Sequence, residues 1–224
     1  MQQKIVTQDS SVQPSYPSRT FLTGRFNYRI DSSFVRVPDS LSSKEIFLKK
    51  LTYQAFFKMQ QEARKSGVRL RVISGTRNFS EQKAIWERKW AVESQTLKDP
   101  VAICRKILSY SSMPSTSRHH WGTGMDINSL QSNYFKSGRG LKEYQWLTAH
   151  AKTFGFHQVY SNKNSGRTGY NVEEWHWSYM PLASNYLKAY NTTITYKDIN
   201  GFTGSENAPK VRMIEDFVNG IQPW

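Results

Sequence analysis

The chain has 224 residues, 31 Lys and Arg against 17 Asp and Glu, a formal net charge of +14, and one cysteine. That length suffices for one well-buried domain, and the lone Cys104 excludes an internal disulfide and leaves no basis for a cysteine metal site. No stretch is long and apolar enough to span a membrane, and the basic residues are scattered rather than gathered in a helix or block. This disfavours a nucleic-acid module and favours a basic, solvated surface, with attraction to an anionic envelope as a secondary reading.

Residues 1–19 are rich in Gln, Ser, Thr and Pro and read as a disordered lead-in or tether. Residues 20–190 form the expected main domain, and 191–224 a C-terminal extension packed on it. Turn signals at Gly24, Asp31-Ser32-Ser33 and Pro38 predict an irregular stretch over 21–37. Ser42 or Ser43 is expected to cap a long helix through about Ser66, ended by Gly67, with Ile46, Phe47, Leu51, Phe56 and Met59 on its apolar side. Residues 68–74 read as a strand, after which Gly75 and Thr76 turn the chain and present Arg77. Asn78 caps the next helix with Glu81 as its capping-box partner, which places Gln82 one turn inside. Asp99-Pro100 opens a further helix to about Tyr110. Cys104, in an apolar run, reads as a buried small hydrophobe. Residues 129–140 form a polar connector, 141–154 a helix stopped by Gly155, 156–160 a strand and 161–167 a polar loop. Residues 181–190 are helical, and 211–218 a short helix.

Two stretches carry the chemistry: Ser117-Arg118-His119-His120-Trp121-Gly122-Thr123-Gly124-Met125-Asp126 and Glu173-Glu174-Trp175-His176. Together they offer imidazoles, a carboxylate and a spare glutamate. A catalytic zinc site needs that inventory: three protein ligands, an open position for water, and a carboxylate to take the water's proton. His119 and Asp126 are an odd number of residues apart, so on a straight strand they would face opposite ways. Gly122 and Gly124 permit the dihedrals that redirect the chain between them. Met125 and Ile127 then alternate with Asp126 and Asn128, which puts Asp126 on a strand and His119 on the loop before it. His176, Ser178 and Met180 alternate with Trp175, Trp177 and Tyr179, so 175–180 reads as an aromatic-rich strand with Glu173 on the loop leading in. No helical HExxH motif occurs.

These blocks resemble the zinc D-alanyl-D-alanine carboxypeptidases of the vancomycin-resistance type, part of the wider group with lysostaphin-type endopeptidases and the hedgehog signalling domain. The first stretch is similar to Ser-x-His-x-x-Gly-x-Ala/Gly-x-Asp and the second to Glu-x-Trp-His. Ser74-Gly75-Thr76-Arg77-Asn78-Phe79-Ser80-Glu81-Gln82 resembles Ser-Gly-x-Arg-Ser-x-x-x-Gln, and Phe154-Gly155-Phe156 with Thr168-Gly169-Tyr170 completes four ordered blocks over roughly residues 68 to 181. The resemblance implies an α+β fold, a small antiparallel sheet carrying the zinc site and covered by helices. It implies Zn2+ held by His119, Asp126 and His176, with His120 in a supporting contact. Glu173 is implied as the catalytic base, with Glu174 exposed. Arg77 is implied at the scissile peptide, either stabilising the oxyanion or clamping a terminal carboxylate. Ser117 is implied on that carboxylate, the alternative being to cap a turn, and Gln82 in ligand contact or helix packing. Trp175 and Tyr170 either wall the cleft or pack in the core. The family usually has an arginine near Val159, and this chain has none there.

The implied activity is a metallopeptidase removing the terminal D-alanine from peptidoglycan stem peptides. Its alternatives are an endopeptidase with the same site, or a non-catalytic zinc-containing cell-wall binding module. A purely structural site needs no base, so Glu173 counts against the last. The expected partners are stem peptides, not nucleic acid; the expected state is a monomer in the periplasm or cell envelope. Residues 2–6 lack the apolar core of a signal peptide, so an export signal or membrane tether is expected on a precursor.

Overall fold

A computed structural model describes residues 17–223; most of the expected lead-in, residues 1–16, lies outside them. The lead-in runs into a helix at its last residue: Ser18 caps α1 (Arg19–Leu22), its hydroxyl oxygen accepting from the Phe21 N–H. Residues 21–37 are not irregular throughout, because β1 (Phe34–Arg36) pairs antiparallel with β2 (Phe47–Lys49). The long helix therefore begins later than Ser42 or Ser43 suggest. Phe47 and Leu48 are used as strand residues, and α2 spans Lys50–Lys65, closing before Gly67 at φ 71°. A hairpin partner distant in sequence overrides the local capping signal here.

After β3 (Val72–Ser74) comes α3 (Phe79–Glu93), opened by the expected capping box: Asn78 accepts from the Glu81 N–H while the Glu81 carboxylate accepts from the Asn78 N–H. Asp99 caps α4 (Pro100–Ile107) with two backbone bonds. The first chemical stretch forms a 3-10 turn (Arg118–Trp121) and then β4 (Gly124–Ile127). Next come α5 (Gly138–His150), β5 (Phe156–His157), β6 (His176–Tyr179) and α6 (Met180–Thr193). The expected strands 68–74 and 156–160 are thus shorter than their apolar runs, and the helix before Gly155 starts at Gly138 and tightens to a 3-10 turn over Ala151–Phe154.

The central sheet is antiparallel in the order β3-β4-β6-β5. The architecture is α+β. Alternation gives the sheet two unlike faces. Val72, Met125, Ile127 and Trp177 point into one core with Leu48, Phe56 and Met59 from the hairpin and α2. Ser74, Asp126 and His176 point the other way and lie in register, Ser74 opposite Asp126 and Asp126 opposite His176. A shift of register between Val72 and Ser74 allows Val72 to pair with Ile127 on the core face and Ser74 with Asp126 on the polar one. Such irregularities re-aim side chains near sites.

A second core, around Trp86, Trp121, Tyr170 and Tyr190, takes in Ile194, Ile199, Phe202, Val211 and Phe217 from the C-terminal stretch. That stretch ends in a π-helical segment, Met213–Val218, where a short helix is expected. Trp86 is its anchor on α3: fully buried, with its indole N–H donating to the Thr203 carbonyl at 2.9 Å and its ring edge-on to Phe202 at 5.9 Å. Trp86→Ala is expected to cost about 3–5 kcal/mol in a denaturant titration; a cost below about 1 kcal/mol would show that this packing contributes little. Cys104 lies in the same core, and burial pushes its thiol up to about 12, which suits an inert packing residue.

Candidate metal centre and its cleft

The turn after His119 works because Gly122 adopts φ 68°, and a side chain there would collide with Phe34 and the backbone of Lys49. Gly124 plays a different part from the one its sequence position suggests. It lies in β4 without a positive φ, and a Cβ on it would press on the His176 ring at 3.1 Å. Its bare backbone makes room for an imidazole.

His119, Asp126 and His176 converge, each offering a ligand atom within 4.8 Å of the others. His119 Nδ1 is 2.7 Å from the Gly75 carbonyl; a carbonyl only accepts, so Nδ1 carries the proton and Nε2 is left as a lone pair, 3.4 Å from Asp126 Oδ1. His176 Nδ1 is 3.1 Å from the same oxygen. The His176 ring rests against Tyr160 with centroids 4.8 Å apart. All three ligand candidates are buried. Burial holds both imidazoles in the neutral form, His176 down to about 4. For Asp126 burial pushes the carboxyl up, but the two imidazoles outweigh it and hold it well below the usual carboxylate range. Neutral imidazole and ionised carboxylate are the states that bind a metal ion.

Glu173 stands on the loop entering β6. Its N–H donates to the Tyr160 carbonyl at 3.0 Å, and its own carbonyl accepts from Gln158 Nε2 at 3.1 Å. Burial and the neighbouring Asp126 charge raise its carboxyl well above the usual range, against a pull downward from Arg77 and Lys89. A buried carboxyl of that kind is suited to proton transfer near neutral pH. Glu174 is half-buried rather than exposed and accepts from the Ser132 hydroxyl at 2.9 Å.

His119, Asp126, Glu173 and His176 line a cleft of about 880 Å³. Arg77 lines it too, fastened by its backbone: its N–H donates to the His119 carbonyl at 3.2 Å, and its carbonyl accepts from His120 Nδ1 at 2.7 Å. His120 is thus a buried brace, held neutral to about 3 chiefly by burial. The Arg77 guanidinium has no carboxylate in ion-pair contact among the described residues, and its buried Nε has no hydrogen-bond partner. Gln82 lines the cleft while its Nε2 donates to the Ser112 carbonyl. Trp175 and Tyr170 do both things expected of them, lining the cleft from largely buried positions.

Ser117 departs from its expected place on a substrate carboxylate. It is 1% exposed, is not among the cleft-lining residues, and caps the 3-10 turn by accepting from the His119 N–H. A short polar side chain just before a helical turn satisfies the free backbone donors there. Conversely, Lys89 and Ser111 line the cleft although no motif marks them. Gln82, Ile85 and Lys89 follow helical spacing on α3 and all reach it, so the spacing of Lys89 from Gln82 is the signal that could have found it.

A sheet-borne His-Asp-His cluster beside a buried glutamate defines the class as one with a candidate hydrolytic metal site. The profile of the family described as VanY, D-alanyl-D-alanine carboxypeptidase, matches residues 45–182, and the chain belongs to that family. YodJ of Bacillus subtilis (strain 168) is 27% identical over 137 residues, 60% of this chain and 46% of that protein. A D-alanyl-D-alanine carboxypeptidase of Enterococcus faecium is 26% identical over 143 residues, 63% of this chain and 40% of that one. The chain therefore spans less than half the length of these curated relatives. Among solved structures, the LdcB LD-carboxypeptidase superposes with a TM-score of 0.57 at 23% identity, covering 84% of this chain and 81% of that one. A mutant vancomycin-resistance D,D-pentapeptidase VanY in complex with Zn(II) superposes with a TM-score of 0.55 at 21% identity, covering 78% and 93%. At such identities these two structures show a shared fold.

Proposed function

We propose that the protein is a zinc carboxypeptidase that removes the terminal D-alanine from peptidoglycan stem peptides. The observation that carries this reading is Glu173, buried in the same cleft wall as His119, Asp126 and His176, with its carboxyl raised by burial and by the Asp126 charge. The donor set suits zinc. Ligand atoms around a tetrahedral ion with bonds of 2.0–2.1 Å lie about 3.3 Å apart, close to the 3.4 and 3.1 Å that separate His119 Nε2 and His176 Nδ1 from Asp126 Oδ1. Zinc held there supplies Lewis acidity and makes water acidic near neutral pH.

The chain's own residues supply the rest. Glu173 takes a proton from the attacking water and returns it to the leaving amine. Arg77, with its Nε free in the wall, offers a fixed positive charge to the carbonyl oxygen as negative charge develops there. The Gly75 carbonyl fixes the tautomer and plane of His119. The direct test is mass spectrometry of a synthetic pentapeptide stem ending in D-Ala-D-Ala, incubated with zinc-loaded protein with and without chelator. Loss of one alanine, blocked by chelator, is the expected result. Fragments from internal cuts would instead establish an endopeptidase, and an intact peptide and intact peptidoglycan would leave a binding module. Action on this polymer implies work in the cell envelope.

A further inference from the structure

Lys89 is not explained by any motif, yet its position is constrained. It sits on the cleft-facing side of α3, half-buried, and its ammonium donates to the Ser111 hydroxyl at 2.6 Å. Among the described residues it pairs with no carboxylate in ion-pair contact. Arg29, Lys44, Arg77, Arg88 and Lys89 line the cleft, and the charges of Arg77 and Lys89 pull the Glu173 carboxyl downward. Arg29 is already engaged by Glu45 and Glu81. Burial also lowers the Lys89 ammonium from its ordinary value, the cost of holding a charge at a wall without a counter-ion.

The chemistry says which substrate group belongs near Lys89. Glu173 must hand its proton to the leaving amine, so the leaving residue lies beside Glu173 during the reaction. In a carboxypeptidase that residue is the last one, and its carboxylate is one carbon removed from the amine. A cation near Glu173 therefore faces the carboxylate. Arg77, its main chain tied to His119 and His120, is assigned above to the carbonyl oxygen, while Ser117 is turned into a cap.

Resting on the carboxypeptidase reading, we propose that Lys89, steadied by Ser111, is the residue that receives the C-terminal carboxylate of the peptide substrate and makes the enzyme select chain ends. The expected occupant is a peptide with a free terminal carboxylate; an amide or an extended chain offers no charge to meet the ammonium.

The test uses zinc-loaded protein carrying Glu173→Gln, so that ligands are bound and not cut. N-acetyl-D-Ala-D-Ala and its C-terminal amide are titrated calorimetrically into this protein and into the same protein with Lys89→Met or Lys89→Arg. The parent is expected to prefer the acid by about tenfold or more, the size of a hydrogen bond to a charged group. Lys89→Met should lose that preference by weakening the acid alone, and Lys89→Arg should keep part of it. Equal affinity of the parent for acid and amide, absence of binding by either, or an undiminished preference in Lys89→Met overturns the assignment. Cleavage of the pentapeptide stem by the unsubstituted protein is scored separately. Cleavage with Lys89→Met still selective sinks Lys89 alone, whereas an uncut stem sinks the carboxypeptidase reading.

Discussion

Glu173→Gln is expected to lower kcat on a D-Ala-D-Ala stem peptide by roughly 10²–10⁴-fold, the range for loss of a general acid–base group, with zinc content unchanged. Glutamine matches the size of the side chain and keeps the backbone bonds from Glu173 to Tyr160 and Gln158. What it removes is the carboxylate that shuttles the proton. Because Glu173 is not one of the three converging donors, metal retention separates a lost base from a lost ligand. Metal analysis by mass spectrometry beside steady-state kinetics makes the distinction. Near-normal turnover in Glu173→Gln would remove the base assignment and leave Glu174, bonded to the Ser132 hydroxyl, as the next carboxylate to replace.

Asp126→Ala is expected to abolish stoichiometric zinc and all chelator-sensitive turnover. Loss of an outer-shell partner alone typically weakens metal binding by about 10–100-fold, and Asp126 is more than that: its Oδ1 is the point on which both imidazoles converge and the one negative charge in the donor set. Without it two neutral imidazoles remain in a buried pocket. The variant should bind zinc at least about 100-fold more weakly by competition with a chromophoric chelator. Tight zinc binding by Asp126→Ala would place the metal elsewhere.

Local chemistry was legible in the sequence where one short segment decides it. The Asn78–Glu81 capping box and the Asp99-Pro100 start depend on neighbours within one turn, and both form. The alternation around Asp126 and around His176 placed both on strands, because their apolar neighbours must reach a core. What stayed hidden depends on contacts between distant segments. The start of α2 is set by the pairing of Phe47 with Arg36, not by Ser42 or Ser43. Gly124 reads as a flexible joint until the His176 ring is seen against it. Ser117 reads equally as a substrate contact by motif and as a turn cap, and the geometry shows the cap. The burial of Glu173 and the place of Lys89 in the wall likewise require the loop, α3 and sheet to meet.

The polar face of the sheet lies between two hydrophobic cores, and the metal-site residues come from segments rooted in both. His119 leads into Trp121 of one core, Asp126 is flanked by Met125 and Ile127 of the other, and His176 touches Tyr160 on one side while its neighbour Trp177 packs on the other. An ion bound at that seam would act as a rivet between the two cores. Its binding free energy would add to the cooperativity of the whole fold as well as to the reaction. Metal supply would then govern how long the protein resists proteolysis, apart from how fast it turns over substrate.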